Sequence, residues 1–319
     1  MTAHFRMSAI DEELLLKYIN EQKKEESLEI LFMSHLKMSA IYWSLASLFL
    51  LKGKEAISFS PMDRDEILEF IINCSNTDGG FGGNVGLDSH VLFTLSALQI
   101  LKMLDSVDLL EKDKVVGYIL SLKNSDGSFK GDAFGEVDTR FSYCALMSLH
   151  ILGKVEQQLI NNALEFVEHC RNWDGGFGMI PGAESHSGQI FCCQAIFTLF
   201  GSKDAEIKEQ RLGEWLCWRQ IKASGGLNGR PQKLEDVCYS WWILSALDNI
   251  GQLDSINKDA LAKFIILAQD DCEGAIADRP GDLGDLFHSF FGIAGLCLLG
   301  LFPKHRIDPI LCLPIPKVD

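Results

Sequence analysis

Long apolar runs are missing from this chain of 319 residues. The longest, Phe290 to Phe302, covers 13 residues, whereas a membrane-spanning helix needs about 20. The N-terminal stretch MTAHFRMSAIDEELLLKYINEQKKEE lacks the basic-then-apolar order of a secretory leader. Proline is scarce, at eight residues, and four of those fall between Pro303 and Pro316. Helical patterns upstream are therefore left unbroken. The ten cysteines are too sparse for a disulfide scaffold and form no C-x-x-C pair. Cys144, Cys192, Cys193 and Cys297 sit inside apolar helical patterns, as expected of reduced core thiols in a cytoplasmic protein. Basic charge is outweighed: 29 Lys and Arg against 44 Asp and Glu leave a net charge of −15. Such a chain is a poor nucleic-acid binder, although a local basic pocket stays open to it. Period-two strand patterns are also lacking. A hydrophobic share of 47% with 23% charged residues nevertheless describes a folded protein and excludes wholesale disorder.

What is present is a repeat. The chain reads Asp78-Gly79-Gly80-Phe81, Asp126-Gly127-Ser128-Phe129 and Asp174-Gly175-Gly176-Phe177, then the weaker Ser224-Gly225-Gly226-Leu227 and Glu273-Gly274-Ala275-Ile276. Aligned glycines are 48, 48, 50 and 49 residues apart. Each unit has an amphipathic segment before the glycines, such as Asp63–Cys74, Lys112–Lys123 or Gln158–Cys170. After them comes a loop and then a segment apolar nearly all round: Ser89–Leu104, Thr139–Leu152, Ser187–Phe200, Val237–Ile250 and Leu286–Leu299. The first kind should lie outside and the second should be buried. Glu12–Ile19 and Met38–Lys52 add a first pair without the glycine signature. The pattern predicts an all-α fold of about six helix pairs. With regular segments to the end and no polar capping repeat, we expect closure into an α/α barrel around a central apolar cavity. Residues 1–319 form one domain in this reading, with irregular termini at 1–11 and 303–319.

Three constellations carry chemistry. Asp236 and Cys238 open one inner segment and His288 opens the next, with 50 residues between Cys238 and His288. A D-x-C pair alone is common, and a lone His on an apolar helix is ordinarily core. Repeat spacing is what brings these three together. A carboxylate, a thiolate and an imidazole make a zinc site with an open fourth position. Next, Arg230, Lys233, His186 and Arg140 fall in equivalent mouth regions of successive repeats and, with the Tyr239 hydroxyl, suit a diphosphate. The plainer alternative is surface pairing, Arg140 with Asp138 or Glu136 for example. Finally, Tyr42, Trp43, Tyr143, Trp241, Trp242, Phe287, Phe290 and Phe291 lie on the inner segments. Such stripes are most often core, but on the inside of a barrel they can line a well for a hydrocarbon chain.

The segments MSAIYW (38–43), DGSFKGDAFGEVDTRFSYCA (126–145), DGGFGMIPGAESHSGQIFCC (174–193), GGLNGRPQKLEDVCYSWW (225–242) and ADRPGDLGDLFHSFFGIAGL (277–296) resemble the β subunits of protein prenyltransferases, most closely the Rab (type II) geranylgeranyltransferases. The likeness runs over almost the whole chain. It implies an α6–α6 barrel, one zinc ion on Asp236, Cys238 and His288, and a lipid diphosphate site at His186, Arg230, Lys233 and Tyr239 with Arg140 nearby. It implies an isoprenoid pocket at Trp43, Tyr143, Gly188, Cys192, Trp242 and Phe287, with a floor at Ser39, Tyr42 and Leu95. Small or aliphatic residues at that floor resemble geranylgeranyl rather than farnesyl enzymes. Asp278 matches a position linked to magnesium in farnesyltransferases. Leu286 departs from the family, which has Pro before Phe-His. The implied partners are a helical α subunit and a Rab GTPase presented by an escort protein, and the implied lipid is geranylgeranyl diphosphate.

The expected reaction is S-alkylation of C-terminal cysteine thiols. The alternatives are a CAAX-type farnesyl or geranylgeranyl enzyme, a terpene cyclase, and a non-catalytic α/α toroid. A cyclase needs an acidic DxDD motif, and a toroid of the thioester class needs CGEQ; the sequence contains neither.

Overall fold

Five backbone amides decide where the inner helices begin. The side chains of His90, Asp138, His186, Asp236 and Asp285 accept hydrogen bonds from Leu92, Arg140, Gly188, Cys238 and His288 N–H groups at 2.7–3.1 Å. These acceptors are 48, 48, 50 and 49 residues apart, so the repeat is at root a repeat of helix starts. In the computed structural model, which describes residues 9–22, 33–201, 206–301 and 305–315, twelve α-helices follow. The outer ones are α1 (Glu12–Glu21), α3 (Arg64–Asn73), α5 (Lys112–Ser121), α7 (Gln157–His169), α9 (Glu206–Cys217) and α11 (Lys258–Leu267). Alternating with them are the inner helices α2 (Lys37–Lys52), α4 (Val91–Met103), α6 (Thr139–Leu152), α8 (Ser187–Phe200), α10 (Cys238–Asn249) and α12 (Leu286–Leu298).

The inner helices form a closed ring. Each packs on the next, and α12 packs on α2. The outer helices are tied in succession from α3 round to α1 through the glycine turns. Gly175 has φ +90°, and a Cβ there would meet the backbone of Arg211 and Leu212 in α9. Gly274, with φ +87°, is wedged in the same way against Leu14 of α1, so the fifth turn meets the first helix. Asp11 and Gln269 add two hydrogen bonds across this seam, at 2.7 and 3.0 Å. The residue ending each glycine motif (Phe81, Phe129, Phe177, Leu227, Ile276) is wholly or almost wholly buried. Each phenylalanine contributes about 2–3 kcal/mol of burial. The turns are thus pinned by a side chain on one side and a missing side chain on the other.

The expected helix pairs and ring are borne out, with ends shifted by at most about two residues. The turn of the first pair lies outside the described residues. One expectation is corrected. Part of the C-terminal stretch taken as irregular is a β-hairpin, Arg306–Asp308 (β1) paired antiparallel with Leu313–Ile315 (β2). It packs on α2, α4 and α12. Strands this short carry no readable alternation; long-range bonds from the barrel hold them. Among the described residues, no helix is long and apolar enough to cross a membrane.

Candidate metal centre and anion pocket

Asp236, Cys238 and His288 come together at the starts of α10 and α12. Their donor atoms all lie within 4.8 Å of one another. The cap geometry explains how. Asp236 stands just before Val237, the residue that precedes α10, and its Oδ1 accepts the N–H of Cys238, the first residue of the helix, at 2.7 Å. Asp285 caps α12 and places His288 three residues on. Counted from Asp236 and Asp285, the two acceptors at the helix starts, the counterpart of Cys238 in α12 is Phe287, and the counterpart of His288 in α10 is Tyr239. The site therefore uses positions one residue out of register, which a spacing of 50 rather than 49 encodes.

Asp285 also fixes the imidazole. Its Oδ2 lies 2.7 Å from His288 Nδ1, leaving Nε2 to face Asp236 Oδ1 at 3.4 Å. A carboxylate behind a histidine is the usual support of a metal ligand. Burial alone would lower the His288 pKa, but hydrogen bonds to Asp236 and Asp285 outweigh it and raise it to about 9. Burial alone would raise Asp236, yet hydrogen bonds from His288 and Cys238 hold it below the usual carboxylate range. Burial, reinforced by Asp236, pushes the Cys238 thiol well up. The cluster thus favours a positive charge among its donors, which a divalent cation would supply in place of the imidazolium proton. The donor set fits a borderline-soft metal.

Beside the cluster lies a cavity of about 470 Å³ lined by His186, Arg230, Gln232, Lys233, Leu234, Asp236, Tyr239 and Arg279. It joins the four diphosphate candidates His186, Arg230, Lys233 and Tyr239 to the metal cluster through Asp236. The Tyr239 hydroxyl is 3.4 Å from His186 Nε2. Burial, with Arg230 and Arg140, lowers the His186 pKa. Arg140 is not part of the lining; its guanidinium is held by the buried Asp138 at 2.7 and 2.9 Å. That is the surface-pairing alternative realised, with a carboxylate wholly out of solvent. Arg230 is paired with Glu184. Arg279 pairs with Asp278 at 2.9 and 3.1 Å and with Asp282 at 3.4 Å, so the Asp278 carboxylate is engaged by a guanidinium.

The aromatic residues divide. Ring contacts run Trp43–Phe287–Phe291–Trp242–Phe191–Tyr143, with centroids 4.5–5.1 Å apart. Trp43, Trp242 and Phe287 keep accessible surface although they are on inner helices, as a well wall requires. Trp241 and Phe290 are completely buried, Trp241 against Phe191 and Phe291 and Phe290 against Tyr42 and Phe291. Ser39, Tyr42, Leu95, Tyr143 and Cys192 are buried and Gly188 is half-buried, all on inner helices.

A family model described as "Prenyltransferase alpha-alpha toroid domain" matches residues 10–313. The chain belongs to this prenyltransferase toroid family. Within the family it is 56% identical over 298 residues to an Arabidopsis thaliana protein named geranylgeranyl transferase type-2 subunit beta 1, covering 93% of this chain and 91% of that protein. It is 43% identical to the geranylgeranyl transferase type-2 subunit beta of Saccharomyces cerevisiae, covering 94% and 92%. Its fold matches the solved Candida albicans protein geranylgeranyltransferase-I complexed with GGPP, with a TM-score of 0.85, 23% identity and 96% of each chain covered. A type II terpene cyclase from Scytonema shares the toroid more distantly, with a TM-score of 0.61, 12% identity, and 84% and 88% covered.

Two residues at this cluster and cavity, Arg279 and Asp285, were not singled out from the sequence. Arg279 stands 49 residues after Arg230, each followed by proline, so the repeat itself contained the signal. Asp285 follows Asp236 at the same interval and was recognisable as the next cap.

Proposed function

We propose that the chain is the catalytic β subunit of a zinc-dependent type-2 protein geranylgeranyltransferase. It would move a geranylgeranyl group from its diphosphate to C-terminal cysteine thiols of Rab GTPases. Its partners would be an α subunit and an escort protein that presents the Rab substrate, and the setting would be the cytoplasm. The observation that carries this reading is the convergence of Asp236, Cys238 and His288 next to a cation-lined cavity. High identity to type-2 β subunits favours it over a CAAX-type enzyme; a type-1 β subunit from Arabidopsis thaliana aligns at 36% over only 44% of this chain.

In the proposed reaction, a bond forms between the acceptor sulfur and C1 of the lipid. The C1–oxygen bond breaks, diphosphate leaves with the electron pair, and the thiol proton goes to solvent. Asp236, Cys238 and His288 would hold the zinc ion, with Asp285 orienting the imidazole. Zinc bound there would supply Lewis acidity that lowers the pKa of an acceptor thiol. Arg230, Lys233, His186, Tyr239 and Arg279 would neutralise the departing diphosphate by charge and hydrogen bonding. Magnesium at Asp278 would require that carboxylate to part from Arg279. Trp43, Tyr143, Trp242 and Phe287 would wall the lipid, and Gly188 and Cys192 would leave it room. Ser39, Tyr42 and Leu95 would end the well.

The test is direct. The chain, purified with its α subunit, is given radiolabelled geranylgeranyl diphosphate, a Rab GTPase and escort protein. Label should appear on the Rab C-terminal cysteines and vanish when those cysteines are replaced. Transfer to a CAAX peptide with none to Rab would favour the CAAX-type reading instead.

A further inference from the structure

In the turn joining β1 to β2, the backbone N–H and carbonyl groups of Ile310, Leu311 and Cys312 are all tied down. Asp308 Oδ1 accepts the N–H groups of Ile310 at 2.7 Å and Leu311 at 3.0 Å. The Asp308 carbonyl accepts the Cys312 N–H at 3.0 Å, and Cys312 sits in the left-handed region at φ 54°. The three carbonyls are bound by the barrel. Tyr143 OH donates to Ile310 O at 2.7 Å, Gln99 Nε2 to Leu311 O at 2.8 Å, and Tyr42 OH to Cys312 O at 2.5 Å. The donors come from α6, α4 and α2, and all three side chains are at least nine-tenths buried.

Three inner helices thus converge on three consecutive carbonyls. A segment held by apolar packing alone would need none of these bonds. Their effect is to fix where the turn sits relative to the inner wall, and buried donors at this depth are costly to leave unpaired. Two of the donors, Tyr42 and Tyr143, are pocket residues of the proposed lipid well. Gln99 lies one helical turn beyond Leu95, a floor residue. Ile310 and Leu311 keep accessible surface, while Cys312 and Leu313 beside them are buried.

We propose that this turn is the end-stop of the isoprenoid well, and that Ile310 and Leu311 set the longest chain the enzyme accepts. The inference rests on the geranylgeranyl reading and adds a length-determining element contributed by the C-terminal hairpin. The physical basis is rigidity. A loose tail would yield to one more isoprene unit, whereas a turn anchored through six backbone groups presents a fixed volume limit. Shortening a side chain on that limit should admit a longer lipid, and enlarging it should exclude the normal one.

The experiment uses the heterodimer with its α subunit and measures dissociation constants for farnesyl, geranylgeranyl and geranylfarnesyl diphosphate. Leu311→Ala should improve geranylfarnesyl relative to geranylgeranyl binding by about tenfold. Leu311→Trp should shift preference toward farnesyl by a similar factor. Thermal melting identifies folded variants, and the alanine variant decides alone if the tryptophan variant does not fold. Unchanged ranking in the folded variants, with wild type preferring geranylgeranyl, overturns the end-stop and leaves the enzyme assignment standing. Failure of wild type to bind any isoprenoid diphosphate overturns both.

Discussion

His288 is joined twice to Asp285, three residues before it: backbone N–H to Oδ1 at 2.8 Å and ring Nδ1 to Oδ2 at 2.7 Å. One carboxylate starts α12 and aims the imidazole. Asp285→Asn keeps a capping oxygen but loses the charge behind the ring. Zinc affinity should drop by about 10–100-fold, while stability changes by no more than about 1 kcal/mol. Competition with a chromogenic chelator and a denaturant titration measure the two. Unaltered zinc affinity would remove Asp285 from the metal centre.

Arg230 is held by Glu184, and both side chains are well exposed. An exposed pair adds little stability, so its consequence lies in binding. Glu184→Gln should leave the melting temperature unchanged and tighten binding of inorganic pyrophosphate several-fold, because the guanidinium no longer has a competing anion. Arg230→Gln and Arg279→Gln should each weaken it, which calorimetry can read. Loss with Arg230→Gln but not Arg279→Gln would take Arg279 out of the anion pocket.

The glycine turns make a prediction about stability. Gly175 and Gly182 both have left-handed φ, +90° and +80°, but Gly182 has open space where a Cβ would be and Gly175 has the α9 backbone. Gly182→Ala should cost about 1 kcal/mol, the conformational penalty alone. Gly175→Ala should cost about 3 kcal/mol or more, since α7 and α9 must separate. Denaturation of the two variants side by side tests this; equal losses would mean the turn is not a close-approach point.

His90 and His186 accept helix N–H groups through Nδ1 at 3.1 Å each, which only an unprotonated nitrogen can do. Burial is the main cause lowering both pKa values; Arg140 adds to it at His90, and Arg230 and Arg140 at His186. The unfolded chain takes up these protons near pH 6.5, and the folded chain resists them. Below that pH the unfolded state binds more protons, so stability is present above about pH 6.5 and is lost as pH falls. His90→Asn keeps a cap acceptor without a titrating ring. It should reduce the difference in denaturation midpoint between pH 7.5 and 5.5; an undiminished difference would contradict the assignment.

Much of this was legible because the repeat is physical. Thr139–Leu152 and Ser187–Phe200 are helices with the bounds the sequence indicates, since an acceptor side chain marks each start. The convergence of Asp236, Cys238 and His288 was readable from repeat spacing and from the family motifs. Arg279 and Asp285 were missed although the same spacing contains them, because an R-P dipeptide and an isolated Asp in a Gly-rich loop look like solvated turn residues. The hairpin was not readable at all. Its three-residue strands have no period, and its position depends on Tyr42, Gln99 and Tyr143, more than 160 residues away in sequence.

Zinc content and lipid binding of Cys238→Ala, measured together on the purified heterodimer, test the central claim most directly. Wild type should carry one zinc ion per β chain. The variant should carry none, bind geranylgeranyl diphosphate nearly as tightly as wild type, and transfer no lipid. A Cys238→Ala variant that transfers geranylgeranyl groups to Rab at the wild-type rate would contradict the account.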